Sequence, residues 1–196
     1  AKELNEIIAK DNPAVLDMLS DLGKNLFMPK GIVTQSAEAK EKANKYNVTI
    51  GIATDKSGPM FLDSVYQCFT DMAPADIFPY APSSGKPELR KKWKEKISHD
   101  TPALTSGFSL PVVTNALTHG LKIVADMFLD RGDTLVLPNM FWGNYRLTFS
   151  VIGGAEIATY NTFNEAGGFD VEALIAKCRE SAQLNGKITL ILNFPN

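Results

Sequence analysis

The chain has 196 residues, 44% of them hydrophobic and 21% charged, which is the balance of a soluble globular protein long enough to bury a real core. Its 20 basic and 22 acidic side chains leave a net charge of −2, so nothing calls for nucleic acid or an anionic membrane as partner. The two cysteines, Cys68 and Cys178, and the two histidines, His99 and His119, share no compact spacing. A zinc site is therefore not expected, and the thiols read as reduced ones of a cytosolic protein.

No basic stretch followed by an apolar core opens the chain, and no apolar run approaches the ~18 residues of a membrane span. The cytoplasm is the expected compartment. The sequon Asn47-Val48-Thr49 has no secretion signal to give it meaning.

In chain order, residues 14–22 place Val15, Leu16, Leu19 and Leu22 on one helical stripe that Gly23 would end. Residues 38–46 are polar and helical in pattern. Residues 48–53 form a β-prone run, broken by Asp55, Gly58 and Pro59. The texture changes near Phe61. Residues 61–72 predict a helix with Leu62, Val65, Cys68 and Phe69 on one side, and residues 74–82, rich in proline and aromatics, predict a loop. Residues 86–97 predict an amphipathic helix with Leu89, Trp93 and Ile97 four apart. Its opposite face carries Lys86, Arg90, Lys91, Lys92, Lys94 and Lys96. No aromatics interleave with these cations, so the face reads as solvated.

From there strands and helices alternate. The pattern predicts a strand at 110–114 and a helix from Thr118 to Leu129 closed by Arg131-Gly132. A strand at 134–137 precedes Pro138, and a helix at 144–152 is stopped by Gly153-Gly154. A strand follows at 156–160. Asp170 caps a helix over 171–184, and the apolar run within 187–192 predicts a strand covered on both faces. This alternation is the signature of an α/β fold, a mostly parallel sheet with helices on both faces.

In such sheets ligands bind beyond the carboxyl ends of strands, where helices begin. Residues 113–121, Val-Thr-Asn-Ala-Leu-Thr-His-Gly-Leu, form that kind of junction. The first turn of a helix carries N–H groups without helical partners and the positive end of the macrodipole, so it suits an anion. A plain cap by Thr118 or Asn115 is the other reading. GxGxxG is absent, Gly85-Lys86-Pro87 does not complete a P-loop, and Ser83-Ser84-Gly85-Lys86 matches S-x-x-K without its companion motifs.

Five pieces occur in a fixed order: Tyr80-x4-Gly85-x3-Leu89-Arg90; the 113–121 junction; Arg131-Gly132-Asp133-Thr134-Leu135-Val136-Leu137-Pro138; Phe141-Trp142-Gly143-Asn144-Tyr145; and an apolar strand ending in Asn193-Phe194-Pro195-Asn196. Together they resemble the class I/II aminotransferases, pyridoxal-phosphate enzymes of the aspartate-aminotransferase fold. The resemblance is clear over 80–196 and rests on position more than motif over 1–79. It implies an N-terminal arm and part of a smaller domain over 1–65, and the first half of the large cofactor-binding domain over 66–196.

The resemblance also implies roles for single residues. Ala116, Leu117 and Thr118 look like the loop that holds the phosphate of pyridoxal 5'-phosphate, with Ala116 standing where the family usually has Gly or Ser. Trp142 resembles the aromatic that stacks on the pyridine ring, with Phe141 as competitor; a core aromatic is the plain alternative. Tyr145 matches a position behind it where His is common. Tyr80 resembles the tyrosine that reaches the phosphate of a neighbouring subunit, which implies a homodimer with shared active sites. Asn196, or the residue after it, looks like the asparagine that bonds the cofactor's phenolic oxygen.

The family's Schiff-base lysine, the aspartate that pairs with the pyridine nitrogen and the arginine that grips the substrate carboxylate are all expected beyond Asn196. The 196 residues alone are thus expected to be inactive. The implied activity is transfer of an amino group between an amino acid and a 2-keto acid. Other pyridoxal-phosphate chemistry on the same fold, a non-catalytic fragment or assembly module, and an unrelated phosphate-binding α/β module stay open.

Overall fold

A computed structural model describes residues 1–26, 32–49, 51–104 and 107–193. The chain packs as two compact units, Lys30–Thr114 and a second made of Ala1–Pro29 with Asn115–Asn196. The texture of the sequence changes near Phe61.

Three short helices open the chain: α1 (Lys2–Asp11), α2 (Pro13–Met18) and α3 (Asp21–Asn25). Pro13 sits in the first turn of α2, where its missing N–H costs nothing. The single helix expected over 14–22 is in fact two. Leu19 is extended, and the Ser20 hydroxyl accepts from the Gly23 N–H at 3.0 Å, which caps α3 and puts Gly23 inside it rather than past its end. A serine able to cap outweighs the continuity of an apolar stripe.

The unit of Lys30–Thr114 holds α4 (Ile32–Lys42), a two-residue hairpin of β1 (Thr54–Asp55) and β2 (Gly58–Pro59), α5 (Asp63–Thr70), α6 (Pro74–Ile77) and α7 (Pro87–Asp100). Strand pairing starts one residue beyond the β-prone run, because the Asp55 carboxylate accepts from both the Ser57 N–H (2.7 Å) and its hydroxyl (2.5 Å) and so makes the turn. One helical turn, α6, interrupts the segment expected to be loop throughout.

The residues expected as a strand at 110–114 belong to no sheet. Their polar groups find other partners. Arg90 donates from Nε to the Pro111 carbonyl (2.6 Å) and from its terminal nitrogens to the Ser84 hydroxyl (2.9 Å) and the Leu110 carbonyl (3.3 Å). Lys94 donates to the Phe108 carbonyl at 2.6 Å and lies over the Phe108 ring at 4.6 Å. Two cations of the face expected to be solvated are therefore engaged. Gly85 completes this clip. Its φ is +97°, and a Cβ there would come within 2.2 Å of Val113 Cγ2.

The other unit continues with α8 (Ala116–Phe128), β3 (Thr134–Pro138), a π-helix (Arg146–Ile152), β4 (Glu156–Tyr160), α9 (Val171–Asn185) and β5 (Thr189–Leu190). The sheet order is β4-β3-β5, parallel throughout, with Thr134 opposite Glu156 and Leu135 opposite Thr189. The central strand β3 is wholly buried at Leu135, Val136 and Leu137, as a strand covered on both faces must be. Leu135 and Leu137 join Ala125 of α8, Tyr145 and Phe149 in the core. Val136 points the other way, to the side on which α9 packs. The expected cap of α9 is present, with Asp170 accepting from the Ala173 N–H at 2.9 Å, and Gly186 ends the helix with φ +69°.

The helix expected over 144–152 is a π-helix that begins at Arg146. Its wide turn brings the Phe149 carbonyl to 2.6 Å from where a Cβ on residue 153 would sit, which only Gly153 tolerates. The apolar run 188–192 pairs with β3 through Thr189 and Leu190, the Ile191 N–H donates to the Val136 carbonyl at 3.2 Å, and Ile188 and Leu192 stay about half exposed. It is not covered on both faces by the described residues. Lys187, just before it, bonds the Phe128 carbonyl (3.0 Å) and the Asp133 carboxylate (2.5 Å), tying the end of α8 to the start of β3.

Candidate functional site

The unit built on β3 gathers its strand ends and one helix start on a single cavity. At the carboxyl end of β3 the Asn139 N–H donates to the Tyr160 carbonyl at 2.7 Å, and the Asn139 side-chain oxygen accepts from the N–H (3.0 Å) and hydroxyl (2.8 Å) of Thr162. The exits of β3 and β4 are thereby locked together. The chain then turns through Met140, Phe141 and Trp142. Tyr145, 5% exposed, anchors this turn. Phe141 stacks on it at 6.5 Å between centroids and 11°, and Trp142 meets it edge-on at 5.8 Å and 83°. Tyr145 in turn rests edge-on against the buried Phe149.

Leu117, Met140, Phe141, Trp142, Tyr145 and Asn193 line a cavity of about 480 Å³, within the range of small-molecule sites. It lies beyond the carboxyl ends of β3 and β5 and at the first turn of α8. A second cavity of the same volume is lined by Gly132, Thr134, Glu156, Lys177, Ser181 and Asn185 among others. It opens at the amino ends of β3 and β4, the end of such sheets that does not carry ligands.

Ala116, Leu117 and Thr118 form the first turn of α8 and are exposed. The Asn115 side chain makes no capping bond there. Instead Nδ1 of His119 accepts from the Asn115 backbone N–H at 3.0 Å. Ala116 has φ +64°, a left-handed conformation that costs an L-residue roughly 1–2 kcal/mol and recurs at ligand-binding turns.

The structure thus brings four of the sequence-derived candidates, Leu117, Phe141, Trp142 and Tyr145, to one cavity, with Ala116 and Thr118 flanking Leu117 in the chain. Tyr80 belongs to the other unit and is fully exposed. Asn196 lies outside the described residues. Met140, Asn139, His119 and Asn193 were not singled out as site residues by sequence. Asn193 had a readable signal, being the first polar residue after the apolar run at a strand's carboxyl end. Among the described residues no group of three His, Cys, Asp or Glu side chains could hold a metal, and no helix is long and apolar enough to cross a membrane.

Residues 43–196 match the family described as aminotransferase class I and II. The chain belongs to that family. Class I and II aminotransferases depend on pyridoxal phosphate. Solved aminotransferases share the fold. A structure of an aminotransferase from Anaerococcus prevotii superposes with a TM-score of 0.78 at 23% identity, over 91% of this chain and 44% of that one. Pyrococcus horikoshii kynurenine aminotransferase, solved in complex with PMP, gives 0.65 at 18% identity, over 89% and 42%. Cytoplasmic aspartate aminotransferase of Saccharomyces cerevisiae gives 0.64 at 19% identity, over 86% and 42%. The chain therefore spans less than half the length of these structures. No curated protein matches it.

Proposed function

We propose that this chain provides the cofactor-binding part of a pyridoxal-phosphate-dependent aminotransferase, which moves an amino group between an amino acid and a 2-keto acid in the cytoplasm. The observation that carries this reading is the single cavity shared by the first turn of α8 and the aromatic turn 140–145. The helix start contributes Leu117 to its lining, and the turn contributes Phe141, Trp142 and Tyr145. That arrangement fits a flat heteroaromatic ring with a phosphate arm.

On this reading the N–H groups of residues 116–118 and the Thr118 hydroxyl hold the phosphate. The face of Trp142 supports the ring, held upright by Tyr145. Asn196 or its neighbour bonds the phenolic oxygen. When bound, the cofactor supplies the sink for the electron pair left at the amino acid's α-carbon. The proton-carrying lysine is assigned to no residue of this chain, so the activity belongs to the whole protein. Tyr80 is assigned to the phosphate of a second copy in a homodimer, and the large domain is assigned to 66–196 with the arm before it.

The test is a titration of the whole protein with pyridoxal phosphate, followed by its absorbance and by tryptophan fluorescence. Trp142→Ala should weaken binding about 2- to 30-fold, the value of ring stacking and cation–π attraction. Unchanged affinity and an unchanged spectrum would remove Trp142 from the site. Turnover with amino-acid and keto-acid pairs, read by keto-acid formation, tests the transfer itself.

A further inference from the structure

We infer that His119 is a positioning residue for the first turn of α8, which it holds by accepting a backbone hydrogen bond on a ring nitrogen. The bond itself carries the argument. The Asn115 backbone N–H can only donate, and its partner at 3.0 Å is Nδ1 of His119. Nδ1 must therefore present its lone pair, and the ring proton sits on Nε2. The geometry is that of a side chain reaching back over a helical turn, a task that Glu or Gln performs in the capping box. An imidazole does it only while neutral.

Two further observations make this bond matter. The Asn115 side chain makes no capping bond at this end. Ala116, inside the span that the bond closes, holds a left-handed φ of +64°.

The helix packs on the π-helix and, through Leu121 and Ala125, on β3. On α8 itself Lys122 and Asp126 are paired with each other. The π-helix brings Arg146, whose guanidinium lies over the Phe141 ring at 5.6 Å. Strand β3 brings no charged residue. The consequence for the cofactor rests on the reading of the previous section: a turn that loses this bond holds a phosphate less well.

The experiment uses the whole protein, 15N-labelled at asparagine and histidine, at about pH 8. In the wild type the Asn115 amide should be protected from exchange and should show a 15N–15N coupling to the ring across the hydrogen bond. His119 is exposed, so its variants should fold. His119→Gln, whose amide oxygen can accept the same bond, should keep protection. His119→Ala should lose it and weaken pyridoxal phosphate binding about five-fold. An unprotected Asn115 amide in the wild type at pH 8, or wild-type protection and affinity in His119→Ala, would overturn the inference. If the wild type takes up no pyridoxal phosphate the functional reading falls, and the amide measurements still decide the role of His119.

Discussion

The two units are held together by different physics. In the unit around β3, apolar side chains disappear from solvent, with Leu135, Val136, Leu137 and Phe149 at 0% exposure. In the unit of Lys30–Thr114 the shape is set by charged side chains bonded to carbonyls, as Arg90 and Lys94 show. Its large apolar residues stay on the surface, among them Phe61, Leu62, Phe69 and Phe78. A core selects one packing through volume and burial. A clip selects one path of the backbone and leaves apolar surface uncovered, surface to which the proposed homodimer would give a partner.

Truncation inside the core is the strongest way to test this contrast. Phe149→Ala should cost about 3–5 kcal/mol, since a fully buried ring leaves both a transfer loss and a cavity. Phe69→Ala, on exposed α5, should stay within about 0.5 kcal/mol in the unassociated chain. Urea unfolding of the two variants gives the comparison directly. Similar losses would mean that the Lys30–Thr114 unit buries more than its exposures indicate.

Next in size is the clip. Arg90→Ala removes bonds to two carbonyls and one hydroxyl at a half-buried site and should cost about 2–3 kcal/mol, near the upper value for hydrogen bonds to a charged donor. Arg90→Lys should recover little of it, because one ammonium cannot span three acceptors set around a planar fork. Faster proteolysis within 108–114, with the far-UV spectrum unchanged, is the expected sign. A lysine variant with wild-type resistance would show that charge alone is enough.

The same contrast explains what could be read from sequence. The alternation that defines the parallel sheet is written in runs whose burial follows from their composition, so β3, β4, α8 and α9 fall where the pattern puts them. The segment 110–114 has equally strand-like residues, yet its partners are Arg90 and the Ser84 carbonyl, which pairwise local reading does not supply. The π-helix and the split at Ser20 were hidden for a related reason, since each depends on a backbone choice that periodicity does not encode. At the candidate site, Trp142 and Leu117 line one cavity, and both follow strand-like runs, where sequence reasoning looks for a ligand. His119 was not legible, because its role is a single bond to a backbone N–H four residues earlier.

Ala116 offers a smaller effect. A glycine there removes the left-handed penalty and adds backbone freedom and some loss of helix propensity, leaving a net stabilisation of about 1 kcal/mol or less. Thermal unfolding of Ala116→Gly should therefore show a raised or unchanged midpoint, while alanine-to-glycine exchange at a right-handed position of α8 such as Ala125 should lower it. A clearly destabilised Ala116→Gly would mean that the left-handed turn is not the native one.

The smallest effect expected is at Asp133, where the fold uses a charge pair at the rim of its core. Its carboxyl is held below the ordinary value of 3.8, first by the hydrogen bond from Lys187 and then by the one from the Asp130 backbone N–H, against a smaller opposing effect of burial. A folded-state pKa depressed in this way means that the folded form favours the ionised carboxylate. The contribution is therefore fully present above pH 3.8 and lost as pH falls through the folded value below it. Asp133→Asn keeps an acceptor for the Asp130 N–H but gives up the ion pair. Denaturant unfolding should place the variant slightly below the wild type near neutrality and bring the two together as pH falls below 3.8 and in high salt, which screens a partly exposed pair. A gap that stayed constant with pH would assign Asp133 a packing role, and the tie from Lys187 to the Phe128 carbonyl would then carry the junction without it.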